Sequence, residues 1–169
     1  GFAASFEDIR AMVRSAAHAL GQAARGEALI AEMDAALSLA ADGPAGRPAV
    51  LYVTPGGVTA GGGTLVHEIL TAAGFDNIAA RGGATGWREL PLEALVLDPP
   101  ELIVTGFFDM PEHRVDNWSA TRHPVLTHIL QTTPSVHLGG ARVSCGAWFM
   151  ADAALEARRQ ADALLARGT

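Results

Sequence analysis

Two short apolar runs, Ala49 to Val53 and Leu102 to Val104, constrain the fold of this chain more than any other feature. Neither run alternates polar with apolar residues, which indicates strands covered on both faces, as in a parallel sheet between helices. Parallel neighbours need long crossovers, and Thr64 to Ala73 and Pro91 to Leu97 have the length and composition of short helices. With a further strand at DNIAA, Asp76 to Ala80, the sequence predicts an α/β fold: a Rossmann-like parallel sheet of about four to five strands flanked by helices.

The carboxyl ends of these strands are where a ligand is expected, because open parallel sheets bind ligands beyond that edge. The loops after Val53, Ala80 and Thr105 should therefore share one edge. The loop after Thr105, GFFDMPEHR, suits the wall of a pocket for a large, partly apolar ligand. Its candidate ligand-contacting residues are Phe107, Phe108 and Asp109, and one of the two phenylalanines is expected to belong to the core. A lone Met110 or His113 in this loop is more often a packing or surface residue than a metal ligand.

Length and composition limit the classes of function. A chain of 169 residues with 49% hydrophobic content suits one domain with a substantial core. Its formal charge of −6 and the lack of a basic cluster argue against a nucleic-acid partner. No apolar run approaches the roughly 20 residues that a membrane-spanning helix needs. The lone Cys145 excludes an internal disulfide, and the histidines lack a zinc-binding spacing, so neither a metal site nor a cofactor is predicted.

The first 43 residues predict one long helix. Ser5 is a suitable N-cap, and apolar residues then recur about every 3.6 residues from Ile9 to Leu37. A helix from Phe6 to about Ala41 would reach roughly 50 Å, which is longer than a domain of this size requires. Gly21 is unfavourable in its interior. A helix of this length is expected to brace something outside the α/β core.

The glycine-rich stretch TPGGVTAGGGT, Thr54 to Thr64, does not match a phosphate-binding loop. No Gly-Lys-Ser/Thr follows it, and its spacing is not G-x-G-x-x-G with an acidic residue after the next strand. It is interpreted as a turn into the next helix whose glycines let a bulky ligand approach the backbone. Gly57 and Thr59 are the candidate contacts. A nucleotide-binding enzyme domain of Rossmann type remains the alternative.

The last third of the chain predicts one further helix, two strands and a final helix. Asn117 to Gln131 has helical composition but is broken by Pro124. Ser135 to Leu138 and Ala141 to Ser144 flank two glycines and are expected to form an edge hairpin. Ala151 to Leu165 has apolar residues at helical spacing. Cys145, between these elements, has no nearby motif for a nucleophile and is expected to be an inert packing residue.

The segment from Ala72 to Gly106 resembles a known family. Its Ala-Gly-Phe-Asp-Asn, loop tryptophan, Leu-Glu-Ala-Leu and Asp-Pro-Pro-Glu-Leu-Ile-Val motifs resemble, in this order, those of class III periplasmic binding proteins. These proteins serve ABC importers of iron-siderophores, haem and cobalamin. The resemblance runs from about Phe6 to Leu165 and is strongest between Pro48 and Gly106.

This resemblance implies a binding protein and not an enzyme. Family members have two α/β lobes joined by one long helix, with the ligand in the cleft between the lobes. The chain then corresponds to the interlobe helix, residues 1–43, and the carboxyl-terminal lobe, residues 44–169, without the amino-terminal lobe. The implied partners are a metal chelate or tetrapyrrole and an ABC permease in the inner membrane. The implied location is the periplasm.

The resemblance also implies roles for single residues. Trp87 matches a loop tryptophan that packs against the ligand in cobalamin-binding relatives, although core packing is an equally good interpretation of a tryptophan. Glu93 matches a surface glutamate that docks onto arginines of the permease, and without the family it would be an ordinary solvated helix residue. Trp148, just before the last helix, is a second ligand candidate.

Overall fold

A parallel sheet of four strands forms the centre of the molecule. The structure is a computed structural model that describes residues 3–42, 46–90, 92–109 and 123–167. The strands are β1 (Ala49–Val53), β3 (Asp76–Asn77), β5 (Leu102–Gly106) and β6 (Ser135–Leu138), and their order across the sheet is β3-β1-β5-β6. In the register of the sheet Leu51 pairs with Ile103, and Thr105 pairs with His137. The predicted fold class is confirmed.

A second, antiparallel sheet of two strands follows the carboxyl end of β1. It consists of β2 (Val58–Ala60) and β4 (Trp87–Glu89), with Ala60 opposite Trp87. The side chain of Asn77 donates a hydrogen bond of 2.7 Å to the carbonyl of Ala60, so β3 holds this small sheet in place. Neither three-residue strand was predicted, because one lies in the glycine-rich stretch and both are too short to show a pattern.

Helices cover both faces of the central sheet. They are α1 (Phe6–Ala19), α2 (Ala23–Ala41), α3 (Leu65–Ala72), α4 (Leu92–Leu97), α5 (Pro124–Thr132), α6 (Gly140–Val143) and α7 (Met150–Leu165). The larger core lies on the face that carries Tyr52 and Val104 and is closed by α1, α2, α3 and α7. A smaller core around Leu51, Val53 and Ile103 is closed by α4 and α5. None of the helices in the described ranges is long and apolar enough to span a membrane.

The prediction of one long amino-terminal helix is wrong. The chain forms two helices, because Gly21 adopts the left-handed conformation at φ 65° and ends the first of them. The helices run antiparallel, with the guanidinium of Arg10 2.6 Å from the carboxylate of Asp34. Their contact is close, since a Cβ on Gly26 would lie 2.5 Å from that of Ala17. The turn lets both helices bury apolar residues in the larger core instead of projecting beyond it.

The final helix packs through alanines and also closes the edge of the sheet. Ala153, Ala154 and Ala157 are fully buried against the larger core. Gln160 lies beside β6, where its side-chain oxygen accepts the N–H of His137 at 2.9 Å and its NH₂ donates to the carbonyl of the same residue at 3.0 Å. These two hydrogen bonds occupy the backbone groups that an edge strand leaves unpaired.

Three other local predictions need correction. The strand expected at DNIAA is limited to Asp76–Asn77 and continues as a 3-10 segment, Ile78–Gly83. The strand expected after β6 is the short helix α6, so there is no edge hairpin at this place. Cys145 is exposed and not packed. The helix expected from Asn117 is described only from Pro124 onward, where proline occupies the first helical position.

Candidate functional site

Trp87 lies at the carboxyl edge of the central sheet and is 53% exposed. Its indole meets the ring of Tyr52 edge-to-face, with 6.1 Å between the ring centroids. Tyr52 belongs to β1, and the pairing of β4 with β2 carries Trp87 to this position. The exposed part of the indole offers an aromatic surface to another flat group. Its ligand-binding role stays a prediction.

Tyr52 is completely buried beneath Trp87. Its hydroxyl has no hydrogen-bond partner within the described part of the chain, and burial raises its pKa well above the ordinary value. Gly106, at the end of β5, leaves the space for this ring, because a Cβ there would overlap the hydroxyl. The ring therefore fills the gap between the ends of β1 and β5 and supports the exposed tryptophan.

The loop after β5 places one phenylalanine inward and one outward. Phe107 packs against the larger core and has a left-handed backbone, φ 66°, which is uncommon for a residue with a side chain. Phe108, which follows it, is 40% exposed. The prediction that one of the two phenylalanines belongs to the core agrees with this arrangement. Met110, His113 and the rest of this loop lie outside the described residues.

Asp109 ties this loop to the one after β6. Its carboxylate accepts the N–H of Gly140 at 2.9 Å, and this hydrogen bond lowers the pKa of Asp109. The same carboxylate lies 4.0 Å from Nε2 of His137. The loops after the two neighbouring strands are therefore joined at the edge where a ligand is expected.

His137 lies at the same edge and was not singled out as a ligand candidate by sequence analysis. It points outward from β6, where burial alternates along Ser135, Val136, His137 and Leu138. Its Nδ1 lies 3.1 Å from the hydroxyl of Thr105, which also donates to the carbonyl of Val136 at 3.3 Å. The alternation was a usable signal for an exposed imidazole. That Thr105 and Asp109 lie beside this imidazole depends on how β5 pairs with β6, which the sequence does not show.

The structure does not bring Gly57 and Thr59 to the surface. Gly57 is buried in a turn at φ 76°, with its N–H donating to the carbonyl of Thr54 at 2.9 Å. Thr59 is 0% exposed, so its side chain is not available to a ligand in this geometry. The close approach that the glycines permit is internal, since a Cβ on Gly61 would lie 2.7 Å from the carbonyl oxygen of Ala84.

Trp148 lies on a different surface from the loop after β5. It is 38% exposed and lines a groove of 480 Å³ between α1 and α2. The other apolar residues of this groove include Ile9, Met12, Val13, Leu20 and Leu29. The ring of Trp148 meets that of Phe149 edge-to-face, with 5.8 Å between the ring centroids.

Glu93 is exposed on the first turn of α4. Val96 and Leu97 on the same short helix are also exposed, so the surface around Glu93 combines one carboxylate with apolar side chains. Its docking role stays a prediction.

The arginines near the edge differ in their availability for an anionic ligand. Arg81 pairs with the carboxylates of Asp76, at 2.6 Å, and Asp98. Arg88 is exposed on β4 and borders a pocket of 300 Å³. Among the described residues, no three His, Cys, Asp or Glu side chains gather in a group that could hold a metal ion.

Comparison with protein families matches residues 2–131 to the family described as periplasmic binding protein. None of the curated proteins compared with the chain matches it.

Solved structures share the fold. The periplasmic haem-binding protein RhuT from Roseiflexus sp. RS-1, in apo form, is 20% identical with a TM-score of 0.70, and the match covers 95% of this chain and 64% of RhuT. The periplasmic haem-binding protein BhuT in complex with two haems is 22% identical with a TM-score of 0.69, over 96% of this chain and 64% of BhuT. An ABC-type Fe3+-hydroxamate transport system from Saccharomonospora viridis DSM 43017 is 17% identical with a TM-score of 0.72, over 95% of this chain and 57% of that protein. The chain thus spans less than two thirds of each of these proteins.

Proposed function

The chain belongs to the periplasmic binding protein family, and on that premise we propose that it captures a metal chelate and delivers it to an ABC importer. The family consists of solute-binding proteins and not of enzymes, and it implies an extracytoplasmic location. Haem, a ferric siderophore and cobalamin are the proposed cargo class, and the periplasm is the proposed compartment. Two of the similar structures are described as haem-binding and a third as Fe3+-hydroxamate transport, which supports this choice.

The observation that carries the proposal is the exposed aromatic surface at the carboxyl edge of the sheet. Trp87 belongs to β4 and Phe108 follows β5, and both are exposed at the edge where open parallel sheets bind ligands. Large planar ligands bind through apolar and aromatic walls with a few polar groups for orientation. The apolar wall is Trp87 and Phe108, with Phe107 behind it, and Asp109 is the polar group beside it. Trp148 is a more distant candidate on the groove beside α1.

We also propose that the ligand is enclosed between this edge and a second lobe. The relatives of known structure are longer than the matched region, which supports a second body facing the edge. In this arrangement the chain supplies one wall of the cleft, and closure removes the half-exposed Trp87 from water. Glu93, exposed on α4, is the proposed contact with the permease.

The alternative of a nucleotide-binding enzyme is not favoured by the geometry of the glycine-rich stretch. In a phosphate-binding loop the first strand leads directly into the helix whose N-terminus holds the phosphate. Here the strand β2 lies between β1 and α3, and the hydroxyl of Thr64 accepts the N–H of His67 at 3.1 Å.

The proposal is tested by titrating the protein that carries both lobes with haemin, a ferric siderophore and cobalamin while tryptophan fluorescence is followed. We expect quenching by at least one of them, with Trp87→Phe losing most of the signal and about tenfold in affinity, which corresponds to about 1.4 kcal/mol. Trp148→Phe is the comparison variant and should lose less of the affinity than Trp87→Phe, because Trp148 lines another surface. No response to any of the three compounds would remove the proposed function.

A further inference from the structure

The side-chain amide of Asn77 is fixed by two backbone groups. Its oxygen accepts the N–H of Ala79 at 3.2 Å, and its nitrogen donates to the carbonyl of Ala60 at 2.7 Å. An N–H can only donate and a carbonyl can only accept, so these two contacts exclude a flipped amide. The same amide nitrogen lies 3.2 Å from Nδ1 of His67, which belongs to the first turn of α3.

This contact requires an unprotonated Nδ1 on His67. An amide NH₂ group donates two hydrogen bonds and accepts none, so the ring nitrogen is the acceptor. The neutral ring then carries its proton on Nε2, whereas an imidazolium, with a proton on both nitrogens, would place two donors against each other. His67 is half-buried and Asn77 is only 3% exposed, so a proton from solvent can reach the ring while the amide stays enclosed.

No carboxylate holds a proton on the ring of His67. Among the described residues, His137 is the one histidine within ion-pair distance of a carboxylate. The nearest acidic residue in the chain is Glu68, and the carboxylate of Asp76, beside Asn77 on β3, is bound by Arg81 at 2.6 Å. The first turn of a helix also disfavours positive charge.

The other helices that pack against α3 direct their charges elsewhere. On α7 the buried Arg158 donates to the carbonyl of Ala73 at 3.5 Å, at the opposite end of α3, and pairs with Asp162 at 2.8 Å. On α2 the carboxylate of Asp34 pairs with Arg10 at 2.6 Å. Protonation of His67 therefore breaks its contact with Asn77 without forming an ion pair among the described residues.

The amide of Asn77 connects the central sheet to the small sheet of β2 and β4. Its hydrogen bond to Ala60 reaches β2, and Ala60 lies opposite Trp87 in β4. We propose that His67 is a positioning residue: its neutral ring locks the amide of Asn77, and with it the small sheet that carries Trp87. The lock holds while the ring is neutral and is lost as the pH falls through the range in which imidazoles gain a proton, roughly pH 8 to 5. The effect of this lock on cargo rests on the proposed function, but the lock itself does not.

Hydrogen–deuterium exchange of the protein without ligand tests the lock. Between about pH 7.5 and about pH 5.5, after correction for intrinsic exchange rates, we expect the protection of β2 and β4 in the wild type to fall at least about threefold. The central strand β5 serves as the internal reference and should keep its protection. His67→Asn supplies an amide oxygen as an acceptor that does not titrate, so its protection should stay the same at both pH values.

Two further measurements separate the lock from a general loss of stability. His128→Asn changes an exposed histidine on α5 and should keep the pH dependence of the wild type. Nitrogen NMR of the wild-type imidazoles reports the tautomer directly and requires no variant to fold. We expect His67 to carry its proton on Nε2 at neutral pH.

Binding experiments on the protein that carries both lobes test the effect on cargo. Whichever of haemin, ferrioxamine B and cyanocobalamin binds at neutral pH should lose at least about threefold in affinity in the wild type at about pH 5.5. The loss should be absent from His67→Asn when the two proteins are compared at the same pH, because the probe then contributes equally to both.

Three results would overturn the inference and leave the proposed function intact. They are an equal loss of protection in wild type and His67→Asn, a loss that extends equally to β5, and a proton on Nδ1 of His67 at neutral pH. If none of the three probes binds, the proposed function fails together with the effect on cargo, and the exchange measurement still decides whether the lock exists.

Discussion

The helical layer, formed by α1, α2 and α7, differs in its packing from the carboxyl edge of the central sheet. In the helical layer Ser5 caps α1 with a reciprocal capping box, and α7 buries small side chains in close contact with the larger core. At the edge the aromatic side chains of Trp87 and Phe108 are exposed, and Tyr52 buries a hydroxyl without a partner in the described part of the chain.

We infer from this difference that the helical layer serves stability and that the carboxyl edge serves the proposed ligand binding. Phe107 is the only residue other than glycine with a positive φ among those described, and it lies at the edge. Backbone strain and unsatisfied polar groups are tolerated where a site needs them and are compensated by regular packing elsewhere. Substitutions in the two regions should therefore affect different measurements.

The largest effect on stability is expected in the core beneath the helical layer. Phe75→Ala removes a fully buried ring and should lower the free energy of unfolding by about 3–5 kcal/mol, measured by urea denaturation. Phe108→Ala, at the edge, should change it by less than about 0.5 kcal/mol and weaken ligand binding instead. Similar losses of stability in the two variants would contradict the inferred difference between the helical layer and the carboxyl edge.

A glycine substitution tests whether the edge depends on close backbone packing. Gly61→Ala places a Cβ 2.7 Å from the carbonyl oxygen of Ala84, a backbone atom that cannot rotate away, so we expect a loss of about 1–3 kcal/mol. Gly56→Ala is the matched control in the same stretch, because a Cβ there meets no atom within 4 Å. Equal melting temperatures for the two variants would show that the β2–β4 sheet rearranges without cost.

The hydroxyl of Tyr52 offers a substitution that should stabilise the edge. Tyr52→Phe removes a buried polar group that has no partner in the described part of the chain and keeps the ring that supports Trp87. We expect a gain of about 1 kcal/mol in thermal or urea unfolding. A loss of similar size would mean that an ordered water satisfies this hydroxyl.

The smallest expected effect is on stability in acid, and it concerns Asp8 in the first turn of α1. The pKa of Asp8 lies below its ordinary value of 3.8, because its carboxylate accepts the N–H of Ala4 and is hydrogen-bonded to Ser5. A carboxylate whose pKa is lower in the folded than in the unfolded state stabilises the fold at any pH above its unfolded-state pKa. This stabilisation is lost as the pH falls through the folded-state pKa. Urea midpoints measured from about pH 5 to about pH 2 should thus fall more in the wild type than in Asp8→Asn. Parallel curves would contradict this contribution.

Uniform apolar runs and helical spacing were sufficient to predict the central architecture. The runs that begin at Ala49 and Leu102 are strands with both faces covered, and the helices between them lie where their composition placed them. The Ala-Gly-Phe-Asp-Asn motif has a structural reason: Gly74 takes a left-handed φ of 77° after α3, Phe75 enters the core and Asn77 holds the small sheet.

What the sequence could not predict depends on contacts between distant residues. The apolar spacing continues across Gly21, so it did not show that the chain reverses direction there. The meeting of Thr105 with His137 depends on the pairing of two strands that are 32 residues apart in sequence. A lone histidine without a motif gives no sign of such a partner. The exposure of Trp87 likewise depends on a three-residue strand that carries no periodic pattern.

The side chain of Gln160 has a consequence for how the molecule behaves in a crowded compartment. By filling the donor and the acceptor of His137, its amide occupies the place that a strand from another molecule would take. Pairing of another strand with β6 is therefore disfavoured at His137, whose side chain is exposed.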